Sequence, residues 1–190
     1  MSRPAVFLDR DGTMLEDHGY LVNLDRVRVF PWTADALRLL RRAGFATVVI
    51  SNQSAVARGL VDEDFVHEAH TFLDGILARA GGGIDRYYFC PHLPDANVPK
   101  YRCSCECRKP GGALIQQACR EMDLDPLRST MVGDRWLDVA CGRAAGVRTV
   151  LLRSGHGPHD HEPLPEGLHP DVVLSNLMEA AGWILRNSSR

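Results

Sequence analysis

The sequence predicts an α/β fold, a mainly parallel sheet with helices on both faces. Three observations lead there. Short apolar runs such as Ala5-Val6-Phe7-Leu8 and Ala46-Thr47-Val48-Val49-Ile50 have the length and continuity of strands buried on both sides. Stretches with helical apolar spacing alternate with these runs along the chain. Several of the runs end abruptly in polar residues, as strands do where an open parallel sheet builds a site. With 190 residues, 45% of them apolar, residues 1–190 are expected to form one domain with a substantial core.

In chain order, the strand Ala5 to Leu8 runs into Asp9-Arg10-Asp11-Gly12-Thr13. Met14 to Pro31 lacks a period and reads as a long loop with a short strand at Val27 to Phe30. Thr33 is placed as the N-cap of a helix to Ala43, with Leu37 and Leu40 inward and Gly44 as its stop. The second strand, Ala46 to Ile50, ends at Ser51-Asn52-Gln53-Ser54. Asp62 caps a longer helix carrying Val66, Ala69, Leu73 and Leu77 at helical spacing, with His67 and His70 on its exposed side. A third strand is expected at Ile84 to Phe89, and Cys90 to Pro110 is irregular. Then come a helix from Gly112 to Met122, a strand at Thr130 to Val132 ending in Gly133-Asp134, a helix from Trp136 to Ala145 and a strand at Val147 to Leu152. Residues 154–170 form a Gly/Pro/His loop in which His156, His159 and His161 are read as solvated. A short strand at Asp171 to Leu174 and a helix capped by Asn176, running to Leu185, close the domain.

Composition narrows the partners. A net charge of −2 provides no basic field, so no nucleic acid is expected, and no apolar run reaches membrane-spanning length. The start of the chain lacks the pattern of a secretory leader, so a cytoplasmic location is expected. Thiols stay reduced there, and the six cysteines are read as metal ligands or buried thiols. Cys119 and Cys141 fall in helices and are assigned to the core.

Three strand ends supply chemistry: Asp9 with Asp11, Ser51 with Asn52, and Asp134. One polar strand end is ordinary, but parallel strands bring all three to one edge, and Lys109 lies on a loop between strands. Paired acids suit metal binding or nucleophilic and acid–base work, while Ser51 and Lys109 suit phosphate oxygens. Neither Gly-x-x-x-x-Gly-Lys-Ser/Thr nor a strand-linked Gly-x-Gly-x-x-Gly is present. Cys90-Pro91-His92 and Cys105-Glu106-Cys107 offer four ligands in two close pairs, which suits closed tetrahedral Zn²⁺; Cys103 is a fifth candidate.

The order Asp-x-Asp-Gly-Thr, Ser-Asn, Lys and Gly133-Asp134-Arg135-Trp136-Leu137-Asp138 resembles the haloacid dehalogenase superfamily of phosphatases. The resemblance implies a Rossmann-like three-layer fold, with Asp9 as nucleophile, Asp11 as acid and base, and Mg²⁺ on Asp9, Asp134 and the Asp11 carbonyl. Asp138 is implied, more weakly, as a support for the metal's surroundings. The pattern Cys-x-His, Cys-x-Cys-Arg-Lys-Pro is similar to a small branch without a large cap domain, which holds heptose-bisphosphate phosphatases and histidinol-phosphatases. Asp17-His18-Gly19-Tyr20 and the stretch from Asn52 to Gly59 resemble the heptose group. Substrate contacts are then implied at Arg10, Asp17, His18, Gly19, Tyr20, Asn52, Gln53, Ser54, Arg108 and Arg135, with Arg108 gripping a second phosphate of a sugar bisphosphate. Histidinol-phosphatase is the nearer alternative, and a monomer is expected. An inactive, zinc-stabilised binding protein is the rival of another class; its mark would be a lost nucleophile or metal acid, and both are present.

Overall fold

The computed structural model describes residues 2–155 and 164–188, so His156, His159 and His161 lie outside the described residues. Its strands are β1 (Ala5–Leu8), β2 (Ala46–Asn52), β3 (Arg86–Cys90), β4 (Thr130–Gly133), β5 (Arg148–Leu152) and β6 (Val172–Leu174). Its helices are α1 (Thr33–Arg42), α2 (Ser54–Ala57), α3 (Glu63–Arg79), α4 (Ala113–Met122), α5 (Trp136–Ala144) and α6 (Leu177–Asn187). The strands form one sheet in the order β3-β2-β1-β4-β5-β6, and every pair is parallel.

Successive side chains of a strand point to opposite faces, and β1 uses both. Val6 and Leu8 pack with Leu37 and Leu40 of α1, Leu73 and Leu77 of α3, and Ala180 and Ile184 of α6. Ala5 and Phe7 pack on the other side with Leu114, Ile115 and Ala118 of α4 and Cys141 of α5. These are the three expected layers, and they explain why β1 and β2 read as unbroken apolar runs. A smaller cluster of Val56, Ala57, Val66, Leu93, Ala96 and Tyr101 seats the segment after β3 against α2 and α3. Among the described residues no inserted domain caps the sheet, and no helix is long and apolar enough to cross a membrane.

Two caps follow the sequence. Asp62 accepts the Phe65 N–H at 2.8 Å, and Asn176 accepts those of Met178 and Glu179 at 3.0 and 3.1 Å. Thr33 differs. It is the first residue of α1, and its hydroxyl donates to the Met14 carbonyl at 3.0 Å, tying the helix to the loop after β1. The expected strand at Val27 to Phe30 is reduced to one antiparallel bridge between Leu15 and Val29, because Leu24–Arg26 winds into a 3₁₀ turn just before it. The one-turn α2 is too short to leave a period in the sequence. His70 is also corrected: it is 4% exposed rather than solvated, stacked on Tyr87 with ring centroids 4.2 Å apart. The flat face of Tyr87 on β3 gives the imidazole a place to bury. Burial pushes its pKa down to about 3, so the ring is neutral at physiological pH.

Candidate active site

Parallel pairing puts the residues after β1, β2 and β4 on one edge of the sheet. Asp9 extends β1 by one bond, its N–H donating to the Val132 carbonyl at 3.0 Å, which sets it beside β4. The chain then turns at Gly12, where φ is +85° and an added Cβ would lie 2.3 Å from Oδ2 of Asp134. Glycine is required there by both angle and space. Carboxylate oxygens of Asp9, Asp134 and Asp138 come within 4.8 Å of one another, and all three residues are buried.

Lys109 binds this cluster together. Its Nζ donates to Asp9 Oδ1 at 2.7 Å, to Asp138 Oδ1 at 2.6 Å and to the Ile50 carbonyl at 3.0 Å, which uses all three ammonium hydrogens. Asn52 fixes the lysine from behind: its side chain accepts the Lys109 N–H at 3.0 Å and donates to the Lys109 carbonyl at 3.1 Å. Asp138 also accepts the Arg135 N–H at 3.0 Å, so one carboxylate holds the lysine and closes the first turn of α5.

Three acids share one ammonium here. Burial, opposed by Lys109 and reinforced by Asp138 and Asp11, pushes Asp9 up to about 7. Burial, then Asp9 and Asp138, pushes Asp134 up to about 9. Burial works against the charge of Lys109, but Asp138 and Asp9 outweigh it and hold the pKa above the usual lysine value. The set offers oxygen donors and excess negative charge, which is what a hard divalent cation requires. These residues therefore fit Mg²⁺ well.

A cleft of about 760 Å³ opens above the cluster. Asp11 faces it, as do Asp17, Gly19, Tyr20 and Ser51 to Ser54. Four arginines line it as well: Arg10, Arg58, Arg108 and Arg135. Arg108 donates to Ser54 Oγ and to the His92 carbonyl, both at 3.0 Å. Arg58 donates to the Tyr20 hydroxyl at 2.6 Å, linking α2 to the loop after β1. It is absent from the expected site residues, although the stretch from Asn52 to Gly59 carries it. His18 is not among the cleft-lining residues; it pairs with Glu16 at 3.0 Å beside a smaller pocket. Ala55 is helical, and its φ is not among the positive ones, so alanine is unstrained there.

The second constellation is as compact. Cys90 Sγ, His92 Nδ1, Cys105 Sγ and Cys107 Sγ are mutually 3.1 to 3.6 Å apart over all six pairs. Four atoms with six near-equal separations mark the corners of a tetrahedron. Metal–sulfur bonds of about 2.3 Å give edges of about 3.7 Å, so the cluster can close on one ion with little movement. Cys103 is exposed and outside this set. Cys141 is buried and Cys119 half-buried, as expected of helix residues in the core.

The fold and the acid cluster define a phosphatase scaffold of the haloacid dehalogenase type. Residues 106–180 match the HAD-hydrolase-like family model. The chain is 43% identical over 155 residues to D-glycero-beta-D-manno-heptose-1,7-bisphosphate 7-phosphatase of Yersinia pestis, covering 81% of this chain and 82% of that one. It is 39% identical over 187 residues to the protein of the same name from Haemophilus ducreyi, covering 97% and 100%. The D,D-heptose 1,7-bisphosphate phosphatase from B. bronchiseptica, crystallised with magnesium and phosphate, superposes with a TM-score of 0.82 at 30% identity, covering 96% of this chain and 98% of that one. The chain belongs to the haloacid dehalogenase-like phosphatases, on the branch these relatives define.

Proposed function

We propose that this chain hydrolyses the C7 phosphate of D-glycero-D-manno-heptose 1,7-bisphosphate, leaving the 1-phosphate. The observation that carries the reading is Asp9, held by Lys109 beneath a cleft lined with arginines. Such a sugar phosphate would feed nucleotide-activated heptose for lipopolysaccharide or other surface glycans. The enzyme is read as a monomer.

An Asp9 oxygen attacks phosphorus, the bond to the C7 oxygen breaks, and Asp11 gives that oxygen its proton. Water then attacks the aspartyl-phosphate, Asp11 takes the water's proton, and Asp9 and inorganic phosphate are released. Lys109 holds the Asp9 carboxylate in place, while Ser51, whose Oγ accepts from Gln53 at 2.7 Å, can donate its own hydrogen to a phosphoryl oxygen. Asp9, Asp134 and the Asp11 carbonyl would hold Mg²⁺, which when bound neutralises charge on the carboxylates and the phosphoryl group. Arg108, with its forked guanidinium, grips the retained phosphate.

The test is phosphate release, with Mg²⁺, from both anomers of the bisphosphate beside histidinol phosphate. A strong bisphosphate preference is expected. Arg108→Ala should lower kcat/KM for the bisphosphate by about 10- to 100-fold, the size of one charge-assisted contact. Preference for histidinol phosphate would overturn the substrate reading.

Cys90, His92, Cys105 and Cys107 are read as a structural zinc site. These four residues would hold zinc between the end of β3 and the segment presenting Arg108 and Lys109. Cys105→Ser should lower bound zinc, measured by elemental analysis, and lower the melting temperature. An unchanged melting temperature after verified zinc loss would count against a structural role.

A further inference from the structure

We propose that Arg10 is a positioning residue for Asp11 and not a substrate contact. The inference rests on the reading of Asp11 as acid and base. Arg10 borders the cleft, but its side chain is 3% exposed against 26% for Asp11, so the guanidinium is the more deeply buried of the two. Arg10 Nε donates to both Asp11 oxygens at 3.1 Å, and Nη2 donates to Oδ2 at 2.9 Å. Nη2 also donates to Gln53 Oε1 at 3.0 Å. The Nε hydrogen and both Nη2 hydrogens are thereby committed inside the protein.

Gln53 closes the network. Its Nε2 donates to Asp11 Oδ2 at 3.3 Å and to Ser51 Oγ at 2.7 Å. One buried amide thus ties the acid after β1 to the hydroxyl of Ser51, which precedes Asn52 at the end of β2. The charge of Arg10 is also felt by His70 and Tyr87, the stacked pair, and both rings are neutral. Among the described residues the anionic partner of Arg10 is Asp11. Arg108 and Arg135 border the same cleft but differ in exposure, Arg108 being half-buried and Arg135 exposed where the Arg10 side chain is buried.

The clamp answers a chemical need. Asp11 must meet the leaving oxygen in one half of the reaction and the attacking water in the other. A forked guanidinium gripping both carboxylate oxygens removes the rotamers that face neither.

Arg10→Met should lower kcat on the bisphosphate by about 100-fold, the typical worth of a placed acid–base group, with KM changed less than about twofold. Arg10→Lys keeps the charge without the fork and should fall between Arg10→Met and wild type. p-Nitrophenyl phosphate sharpens the test, because nitrophenolate leaves without a proton. Arg10→Met should release one nitrophenolate per enzyme in a fast burst, then turn over slowly, since the second half still needs its base. A raised KM with kcat kept would overturn the proposal in favour of substrate contact. Equal loss of burst and steady turnover would overturn it in favour of general damage. If Arg10→Met does not fold, Gln53→Leu should show the same pattern at about tenfold, and wild-type behaviour there would overturn the proposal. Asp11→Asn separates the two levels. If it keeps wild-type turnover of the bisphosphate, the acid–base reading fails, and the proposal with it. If it is inactive while Arg10→Met behaves as wild type, only the proposal fails.

Discussion

Asp9→Asn will lower phosphate release by at least about 10⁴-fold while the protein melts within a few degrees of wild type. The amide oxygen of asparagine is a far poorer nucleophile than a carboxylate, and no neighbouring acid is placed to replace it. Lys109 already holds Asp134's neighbour Asp138, and the remaining acids face the metal position and the leaving group in the proposed mechanism. The fold should survive because asparagine has the shape of aspartate and Lys109 keeps Asp138 as an anionic partner. Asparagine also keeps an oxygen for Lys109. Phosphate release and a thermal melt on the same preparation decide the matter, and full activity in this variant would sink the aspartyl-phosphate mechanism.

Lys109→Met should have the largest effect on stability. It removes the ammonium bonded to Asp9 and Asp138 and leaves buried acids facing one another. Breaking such a pair costs about 3–5 kcal/mol, or roughly 10 °C in melting temperature for a protein of this size. Activity should be lost too. Part of the lost stability should return with added Mg²⁺, which binds the folded acids and not the unfolded chain. A variant that melts like wild type would show that the acids do not depend on the ammonium.

Much of this was legible in the sequence because it depends on local order. β1 is a continuous apolar run, β2 is mostly one and β4 holds a shorter one, and each leads straight to its polar residues, so chain order alone assigns Asp9, Ser51 and Asp134 to one edge. Asp62 and Asn176 announce their helices because a cap acts within three residues. What stayed hidden depends on partners far along the chain. Thr33 looks like a cap until Met14 is seen beside it, and His70 looks solvated until Tyr87 covers it. Asn52 and Arg10 are expected to touch substrate, and both border the cleft. What the sequence did not show is that their side chains also bond Lys109, 57 positions from Asn52, and Asp11 with Gln53. A motif gives residue types and spacing, but not the direction in which each side chain is aimed. Arg58 was hidden for the same reason, since only the fold brings it to Tyr20.

The sheet order also governs when the protein can first act. β1 lies between β2 and β4, and Val6 pairs with Thr130. During synthesis one edge of the nucleophile strand therefore waits for more than a hundred residues to emerge, on the order of ten seconds at ordinary ribosome speeds. Ala5 to Leu8 are apolar and paired on one side only over that interval, a state that invites association with other strands. Asp134 and Asp138 arrive with and just after β4, so the acid cluster is completed only once that edge closes. Hydrolysis should then begin only in chains whose central strands are all in place, and a stalled or truncated product ending before β4 would be sticky but inert.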